Sequence, residues 1–388
     1  MIIILDPTCI SLQHTPFNAG LLSVVSLAHP DEEIVFCAEK SHIDEVYSLL
    51  APELREHNIY KPLEIPEFKA PFFKRIKQDI LNIKKCFRFF KKGHENRLLI
   101  CNVKPSVFVA LRMALLTSTV DRNKLKIHVV LHANATALDS WRSRNPLLRI
   151  QDMVFAVRFV SNLNIQYIVL EHYIKDELKN KVSYLGDRIS VLEHPIIENK
   201  TDLNTKHINY HGLKFGFLGG TFPKKGFDSY LGLAQEIESE YGDKAQFYVV
   251  GSLDARYMDD PRLKYLSTEP SSQKLARADY EIMLDSLDYV IMPYDSEYYS
   301  LCPSGALLDA IAWVKPIIAF RIPLFSDIEK RFGPIGFLCK DSAEMVDTIK
   351  QIIISPDNEQ YKLFVQNLKQ VKKSRTPTAL APVYAALD

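Results

Sequence analysis

Short apolar runs alternate along most of the chain with segments whose apolar residues recur at helical spacing. Buried parallel strands are apolar on both faces and are joined by crossover helices, so this alternation predicts parallel sheets with helices on both sides. In the first half the pattern predicts strands at 2–5, 33–38, 97–103, 126–133, 166–171 and 188–192. It predicts helices there at 21–28, 105–116, 148–163 and 173–182.

A second series of the same kind follows a polar linker, residues 195–210, that has little periodicity. Its predicted strands are 213–220, 246–251, 288–294, 314–320 and 335–339, and its predicted helices are 226–241, 303–313, 325–332, 343–354, 358–373 and 376–387. A chain of 388 residues is also too long for one ordinary core. The predicted fold class is therefore α/β, with two Rossmann-like doubly wound domains, 1–205 and 206–373, that face a cleft.

Composition narrows the class of function. The 48 Lys and Arg residues nearly balance the 47 Asp and Glu residues, so no basic field attracts nucleic acid. The 6 cysteines are scattered without a Cys-x-x-Cys pair, which is typical of reduced cytosolic thiols and predicts neither disulfides nor a zinc site. The N-terminus lacks the basic region of a signal peptide, and no apolar run approaches the roughly 20 residues of a membrane span. We therefore expect a cytoplasmic protein whose membrane contact, if any, is peripheral.

The stretch 288–320 carries the strongest candidate chemistry. It is predicted as a strand, a polar and aromatic loop, a helix beginning at Pro303, and a second strand. Ser304, Gly305 and Ala306 then offer backbone N–H groups at the positive end of the helix dipole, with no bulky side chain in the way. Helix N-termini of this kind bind phosphate.

Asp309 is the only charged side chain on the same, otherwise apolar, predicted helix. A carboxylate just beyond an anion site is well placed to accept both hydroxyls of a ribose, as in dinucleotide-binding folds. The alternative interpretation is a solvated turn residue.

The segment 218–226 is a second candidate, because it comes directly after a predicted strand and directly before a helix. Gly219 and Gly220 let the backbone approach an anion closely, and Lys225 offers a positive charge to a diphosphate. The alternative is a glycine-rich turn with solvated lysines.

Both segments resemble motifs of the GT-B glycosyltransferases, in the large, mostly retaining group that uses nucleotide sugars and includes many bacterial polysaccharide and lipopolysaccharide enzymes. There an acidic residue opens Glu-Ala-x-Ala-x-Gly-x-Pro-Val-Ile-Ala, and this chain has Asp309-Ala-Ile-Ala-Trp-Val-Lys-Pro-Ile-Ile-Ala319. The second domain of that group opens with Gly-Arg-x-x-x-x-Lys-Gly, to which Gly219, Lys225 and Gly226 correspond.

The resemblance implies that the second domain binds a nucleotide-diphosphate sugar and that the sugar passes to a hydroxyl of a glycan or lipid-linked acceptor in cell-surface polysaccharide synthesis. It implies a hexosyltransferase-like, retaining enzyme that needs no cofactor. No Asp-x-Asp signature stands out, so no essential metal is expected. The resemblance also implies that a C-terminal helix, 374–388, packs back on the first domain.

Two positions depart from the motif. Gly220 stands where the group usually has Arg, so Lys225 has to neutralise more of the diphosphate charge. Leu301 stands where the retaining members usually carry a catalytic Glu. Glu297 and Asp295 are the candidates to replace it, with an exposed loop acid or a helix-cap interaction as the alternatives. Tyr298 and Tyr299 are candidates to stack on the base or the sugar, with buried packing as the alternative.

In the first domain, ligands are expected where strands end. His132 ends a predicted strand and is the candidate to polarise the departing diphosphate or contact the sugar, with a core histidine as the alternative. His14 and Asn18, in the first predicted loop, are candidates for the acceptor site.

Residues 72–92 carry eight Lys and Arg residues against a single acid, Asp79, and apolar residues at spacings of three and four. A basic amphipathic helix with aromatic residues suits the surface of an anionic membrane. The alternative is a helix that packs its apolar stripe on the core, and the two are compatible. A membrane contact would favour a lipid-linked acceptor at the inner leaflet.

Three functions remain open from the sequence. The first is the glycosyltransferase just described. The second is a nucleotide-sugar epimerase or hydrolase of the same fold, which needs more acids and histidines than the sequence shows. The third is a non-catalytic partner subunit, favoured by Leu301 and Gly220.

Overall fold

The computed structural model describes residues 1–67, 69–132, 135–139, 143–145, 148–197 and 212–387. The chain divides into two compact units. The first comprises Met1–Ile197, Leu301–Pro303 and Arg375–Asp388, and the second comprises Glu198–Ser300 and Ser304–Ser374. Most of the linker predicted at 195–210, including the boundary predicted between 205 and 206, lies outside the described residues.

The first unit contains a sheet of seven parallel strands in the order β3-β2-β1-β4-β5-β6-β7. The strands are β1 (Ile2–Leu5), β2 (Ile34–Glu39), β3 (Asn58–Leu63), β4 (Asn96–Ile100), β5 (Leu125–Val130), β6 (Ile165–Val169) and β7 (Ile189–Val191). The six predicted strands are confirmed, although the last residue predicted for 126–133 lies outside the described ranges. The sequence missed β3, whose proline is tolerated because the strand lies at the sheet edge.

Helices flank this sheet. They are α1 (Thr15–Ala28), α2 (Lys40–Leu49), α3 (Pro52–His57), α4 (Phe72–Phe87), α5 (Pro105–Leu116), α6 (Met153–Phe159) and α7 (His172–Lys181). Two predictions were wrong in extent. The helix predicted at 21–28 begins earlier, at Thr15, because Pro16 fits the first helical turn. The helix predicted at 148–163 is a 3₁₀ turn, Leu148–Gln151, followed by the shorter α6.

The second unit contains a five-stranded parallel sheet in the order β12-β11-β10-β8-β9. Its strands are β8 (Leu213–Leu218), β9 (Ala245–Val250), β10 (Tyr289–Met292), β11 (Ile317–Phe320) and β12 (Gly336–Cys339). Its helices are α8 (Phe227–Tyr241), α9 (Arg277–Ser286), α10 (Gly305–Ala312), α11 (Pro323–Phe332), α12 (Ser342–Ile354) and α13 (Asn358–Ser374). The sequence missed α9, and it placed the start of α10 two residues early, at Pro303.

Each sheet has one point where the strand order reverses, between β1 and β4 in the first unit and between β8 and β10 in the second. At such a point the connections leave two adjacent strands in opposite directions and open a crevice at their carboxyl ends, where ligands bind in doubly wound folds. The first crevice is formed by residues that follow Leu5 and Ile100, and the second by residues that follow Leu218 and Met292.

The last helix, α14 (Pro377–Ala385), is part of the first unit. Its Tyr384 lies in the core of that unit and hydrogen-bonds to His128 Nδ1 at 3.2 Å. Arg375, just before the helix, is fully buried and donates two 2.7 Å hydrogen bonds to the carboxylate of Glu171. It also pairs with Glu193 at 3.3 Å. Breaking such a buried ion network leaves uncompensated charge, so it fixes where the C-terminal segment rejoins the unit.

Candidate functional site

The two glycines that follow β8 have different roles. Gly219 has φ +80°, a left-handed conformation that favours glycine, and a Cβ there would lie 2.7 Å from the Lys225 amine. Gly220 has no such constraint, and a Cβ there would come no closer than 3.6 Å to its neighbours. The backbone therefore requires Gly219, whereas a Cβ at Gly220, where the resembled motif carries Arg, would make only ordinary van der Waals contacts.

The other end of this loop is packed against the end of β10. Gly226 has φ +76°, and a Cβ on it would lie 1.8 Å from the Pro293 carbonyl oxygen. The Asp295 N–H donates to the Lys224 carbonyl at 3.1 Å, and the two side chains form an exposed ion pair at 3.4 Å. The loops after β8 and β10 thus lie side by side in the crevice of the second sheet.

Lys225 places a buried amine in that crevice. Its side chain is only 7% exposed, and Nζ donates to the Leu218 carbonyl oxygen at 2.7 Å. Burial lowers the pKa of Lys225 to about 8, and the nearby Asp309 carboxylate opposes the shift. The amine therefore still carries its proton at neutral pH but is held by a neutral acceptor, which an anionic ligand can replace. This contradicts the alternative of a solvated lysine.

The N-terminus of α10 is partly capped by the protein. Ser304 is the N-cap residue, not part of the first turn, and its Oγ accepts the Leu307 N–H at 3.2 Å. The Tyr294 hydroxyl lies 3.1 Å from the same Oγ and fixes it. The first N–H groups of a helix have no acceptor within the helix, so the cap leaves the amides of Gly305 and Ala306 for a ligand.

Asp309 lies inside α10 and accepts a 2.8 Å hydrogen bond from the Tyr280 hydroxyl. Arg277 Nη1 lies 3.7 Å from the other carboxylate oxygen. Burial raises the pKa of Asp309, while Arg277, Tyr280 and Lys225 act to lower it. The solvated-turn interpretation is wrong, because Asp309 is helical and held by α9. These α9 partners were not predictable from the sequence, since that helix is polar and weakly periodic.

The aromatic and acidic candidates in the loop between β10 and α10 differ in how exposed their side chains are. Tyr299 is buried and stacks on Tyr294, with ring centroids 4.2 Å apart. Tyr298 is 38% exposed and meets Tyr299 edge-on at 5.1 Å. Glu297 has an exposed side chain in the preceding turn. Tyr298, and not Tyr299, therefore presents an accessible ring.

In the first unit, two histidines and a phenylalanine surround His132. Its ring centroid lies 4.4 Å from that of His14, 4.6 Å from that of Phe17 and 5.6 Å from that of His194. Burial and the two neighbouring histidines hold the pKa of His132 well below its usual value, and burial lowers that of His194 to about 3. These two imidazoles are therefore neutral. His132 Nδ1 is buried without a hydrogen-bond partner in the described part of the chain.

Two of the predicted residues, His14 and His132, are thus in contact. The other predicted acceptor-site residue, Asn18, has different contacts. It lies in α1 instead of the predicted loop, is 1% exposed, and hydrogen-bonds to Asp6 Oδ2 at 2.5 Å and His42 Nε2 at 2.7 Å.

One group of potential metal ligands occurs among the described residues. Asp6, Cys9 and His42 each offer one ligand atom, and these atoms all lie within 4.8 Å of one another. The group lies beside Asn18 in the first unit, in the crevice next to β1, and shares no residue with the second-unit crevice.

No protein-family model matches the sequence, and a search of curated proteins finds no match. Solved structures do match. A structure of S. aureus TarM in complex with fondaparinux, alpha-GlcNAc-glycerol and UDP superposes with a TM-score of 0.56 at 12% identity over 81% of this chain. This chain spans 58% of the length of TarM.

Two further structures match over nearly their full lengths. WaaG, a glycosyltransferase involved in lipopolysaccharide biosynthesis, gives a TM-score of 0.63 at 10% identity, covering 100% of this chain and 98% of that one. UDP-GlcNAc 2-epimerase from Neisseria meningitidis, bound to UDP-GlcNAc, gives 0.57 at 12% identity, covering 100% and 99%. At these identities the likeness shows the fold, so the predicted two-domain GT-B fold is confirmed.

We predict that Gly226→Ala destabilises the second unit by at least about 2 kcal/mol, because a left-handed non-glycine residue costs about 1–2 kcal/mol and the new Cβ would overlap the Pro293 carbonyl. Gly232→Ala, at an exposed position of α8 with open space around it, is the matched control and should stabilise by about 0.5–1 kcal/mol. Urea unfolding measures both. Equal effects of the two substitutions would contradict the described loop conformation.

Proposed function

We propose that the protein is a glycosyltransferase that takes a sugar from a nucleoside-diphosphate donor bound in the second unit. The observation that carries the proposal is a buried, protonated amine on Lys225 that interacts electrostatically with the carboxylate of Asp309. Asp309 lies in α10, whose first turn carries the amides of Gly305 and Ala306. The TarM structure contains UDP and the epimerase structure contains UDP-GlcNAc, which supports a nucleotide site on this fold.

The proposed chemistry is stabilisation of the leaving diphosphate. Transfer of the sugar places negative charge on the diphosphate oxygen, and fixed donors aimed at that charge lower the barrier. A phosphate oxygen replaces the Leu218 carbonyl as the acceptor for Lys225, because a charge-assisted hydrogen bond to an anion is stronger than one to a neutral carbonyl. Gly219 contributes the space in which the amine and the anion meet.

Asp309 is the proposed ribose ligand. A carboxylate has about four acceptor positions. Within the described residues, Asp309 accepts one hydrogen bond from Tyr280 and forms a longer ion pair with Arg277. Two ribose hydroxyls can donate to the remaining positions. Gly220 and Tyr299 stay in the proposal as donor-binding residues, although Tyr299 acts from a buried position behind the more exposed Tyr298.

The first unit contributes His132 as a proposed catalytic group and His14, which contacts it, as an acceptor-binding residue. A neutral imidazole donates from one ring nitrogen and accepts at the other, so His132 serves as a hydrogen-bond donor and not as a fixed charge. Glu297 is the proposed second catalytic residue, and Asn18 is a proposed acceptor-site residue that acts through its buried network. We propose a retaining, metal-independent transfer, in which Glu297 replaces the acid absent at Leu301.

We also propose that α4 contacts an anionic membrane and that the acceptor is a lipid-linked glycan of cell-surface polysaccharide synthesis. One side of α4 is buried in the first unit at Ile83 and Phe87, whereas Phe73 is 71% and Leu81 46% exposed. The exposed side also carries Lys74, Lys77, Lys85 and Arg88. No helix in the described ranges has the length and apolar composition needed to cross a bilayer. Exposed apolar groups among cations suit an interfacial contact.

Lys225→Met should weaken binding of UDP, or of whichever of UDP, GDP and ADP binds best, by at least tenfold, because a hydrogen bond to a charged group contributes about 1.5–3 kcal/mol. Lys224→Met is the control, since Lys224 is exposed and pairs with Asp295. The affinity of this variant for the nucleotide should stay within about threefold of that of the wild type. Titration calorimetry measures both. Absence of binding by all three nucleotides at millimolar concentration would refute the donor site.

The same affinity should fall as the pH rises above about 8. The free protein loses the Lys225 proton with a pKa of about 8, whereas the bound anion favours the charged amine, so binding takes up a proton in this range. Lys225→Arg, which keeps its charge, should show a flat profile between pH 7.5 and about 9.5. A wild-type profile as flat as that of the arginine variant would contradict the role of the buried amine.

The likeness to an epimerase keeps a second function open, an epimerase or hydrolase acting on the donor alone. A non-catalytic subunit would bind nucleotide without turnover. Incubation of the protein with nucleotide sugars, with and without lipid-linked acceptors, separates the three. The proposal requires turnover that depends on an acceptor; a change of the sugar nucleotide in the absence of acceptor would replace it by the second function.

For the membrane contact, the double variant Lys74→Gln/Lys77→Gln should lower partitioning onto phosphatidylglycerol vesicles by about 30-fold, since each basic residue near such a surface contributes about 1 kcal/mol. Phe73→Ser should lower it further without changing its salt dependence. Ile354→Ser, an equally exposed apolar position in the second unit, is the control. Wild-type protein that fails to sediment with anionic vesicles at low salt would refute the contact.

A further inference from the structure

Three buried side chains of different chemistry converge in the crevice beside β1. Asp6 follows the strand directly, Cys9 lies in the loop after it, and His42 is the third residue of α2. Their relative exposures are 0%, 2% and 0%, and their ligand atoms lie within 4.8 Å of one another. Carboxylate, thiolate and imidazole are the groups that bind Zn²⁺ in proteins.

The imidazole of His42 is already oriented as a metal ligand. Its Nδ1 lies 2.7 Å from the Ser11 carbonyl oxygen, and a carbonyl only accepts, so Nδ1 carries the proton. The lone pair is therefore on Nε2. A metal-binding histidine almost always donates its other ring N–H to a carbonyl or carboxylate in this way, which fixes both the tautomer and the ring plane.

Asp6 is a buried carboxylate held by neutral donors. Its Oδ1 accepts the N–H groups of Thr8 and Cys9, both at 2.9 Å, and this turn brings Cys9 to the carboxylate. Within the described ranges, no lysine or arginine forms an ion pair with Asp6. A carboxylate out of water without a cation is costly.

The side-chain amide of Asn18 lies where the lone pairs of Asp6 Oδ2 and His42 Nε2 point. Its Nδ2 lies 2.5 Å from Asp6 Oδ2 and 2.7 Å from His42 Nε2, while its Oδ1 is buried without a hydrogen-bond partner in the described structure. Rotation of the amide by half a turn exchanges the two atoms. The unsatisfied oxygen then faces the other three groups as a fourth ligand.

We propose that this group is a structural Zn²⁺ site, with the Asp6 carboxylate, Cys9 Sγ and His42 Nε2 as ligands and Asn18 Oδ1 closing the coordination. The Cys9 thiol releases its proton to solvent on binding, so one thiolate and one carboxylate balance the divalent ion. Zinc bonds of about 2.0–2.3 Å place tetrahedral ligands about 3.3–3.8 Å apart. Binding therefore requires the Asp6, Cys9 and His42 atoms, which lie within 4.8 Å of one another, to approach by at most about 1.5 Å. It also requires the Asn18 contacts of 2.5 Å to Asp6 and 2.7 Å to His42 to lengthen by about 1 Å.

The site would tie the loop after β1 to both α1 and α2. That loop leads directly to His14, so the ion would hold the predicted acceptor-binding residue in place. The site is buried, which favours a structural role over a catalytic one. The inference does not depend on the proposed transferase activity, because its test measures metal binding and not sugar transfer.

The test uses the full chain with its affinity tag removed, stripped by a chelator and titrated with Co²⁺ and then Zn²⁺. We expect one ion per chain, a thiolate-to-cobalt charge-transfer band, and its loss when Zn²⁺ displaces Co²⁺. Cys9→Ser should abolish the band. Cys101→Ser, a buried thiol at the end of neighbouring β4 and outside the ligand group, should retain it. Loss of the band in both variants, or a wild-type chain without it, overturns the proposal.

A second variant keeps the test meaningful if Cys9→Ser does not fold. Asn18→Asp places a second carboxylate beside Asp6, which should lower the melting temperature of the metal-free protein because like charges repel. With Zn²⁺ present, the added anionic ligand should raise the melting temperature more than it rises for the wild type. An equal or smaller zinc-induced shift in Asn18→Asp contradicts the assignment.

Discussion

A protonated amine buried at the carboxyl end of a parallel strand sets the geometry of the second unit. Lys225 reaches back to the last carbonyl of β8, so the loop between has to curl tightly around the amine. Gly219 must lack a side chain because the amine occupies that space, and Gly226 must lack one because the carbonyl of Pro293 does. The loops after β8 and β10 are thereby pressed together. The Lys225 amine also lies 5.7 Å from the ring centroids of Phe217 and Phe222, but in the described structure it forms no ion pair. An anionic ligand stabilises such a buried charge.

In the first unit, a different kind of polar group is buried beside β1. Parallel pairing of β1 and β2 sets Leu5 opposite Cys37, which brings the residues after both strands together although Asp6 and His42 are far apart in sequence. The result is a buried polar group with an unsatisfied amide oxygen on Asn18. Buried polar atoms without partners are rare in native structures. Both crevices therefore place unusual polar chemistry at the reversal point of the strand order, where this fold binds ligands.

Much of this architecture was predictable, because buried parallel strands are near-continuous apolar runs and the spacing of such runs sets the order of elements. The two donor motifs were predictable for the same local reason, since each joins a strand to the helix that follows it. The partners of Asp309 were not, because Arg277 and Tyr280 lie on a polar helix with little apolar periodicity. The group formed by Asp6, Cys9 and His42 was not predictable either. The sequence argued against zinc from cysteine spacing, and only strand pairing brings these three residues together.

The central claim is that an anionic diphosphate is bound by the buried amine of Lys225 and the first amides of α10. A crystal structure of the protein with the nucleoside diphosphate that binds best tests it most directly. The account predicts phosphate oxygens within hydrogen-bonding distance of the Gly305 and Ala306 amides, with Lys225 Nζ turned from the Leu218 carbonyl to the diphosphate. A nucleotide bound elsewhere, with Nζ still on that carbonyl, would contradict it.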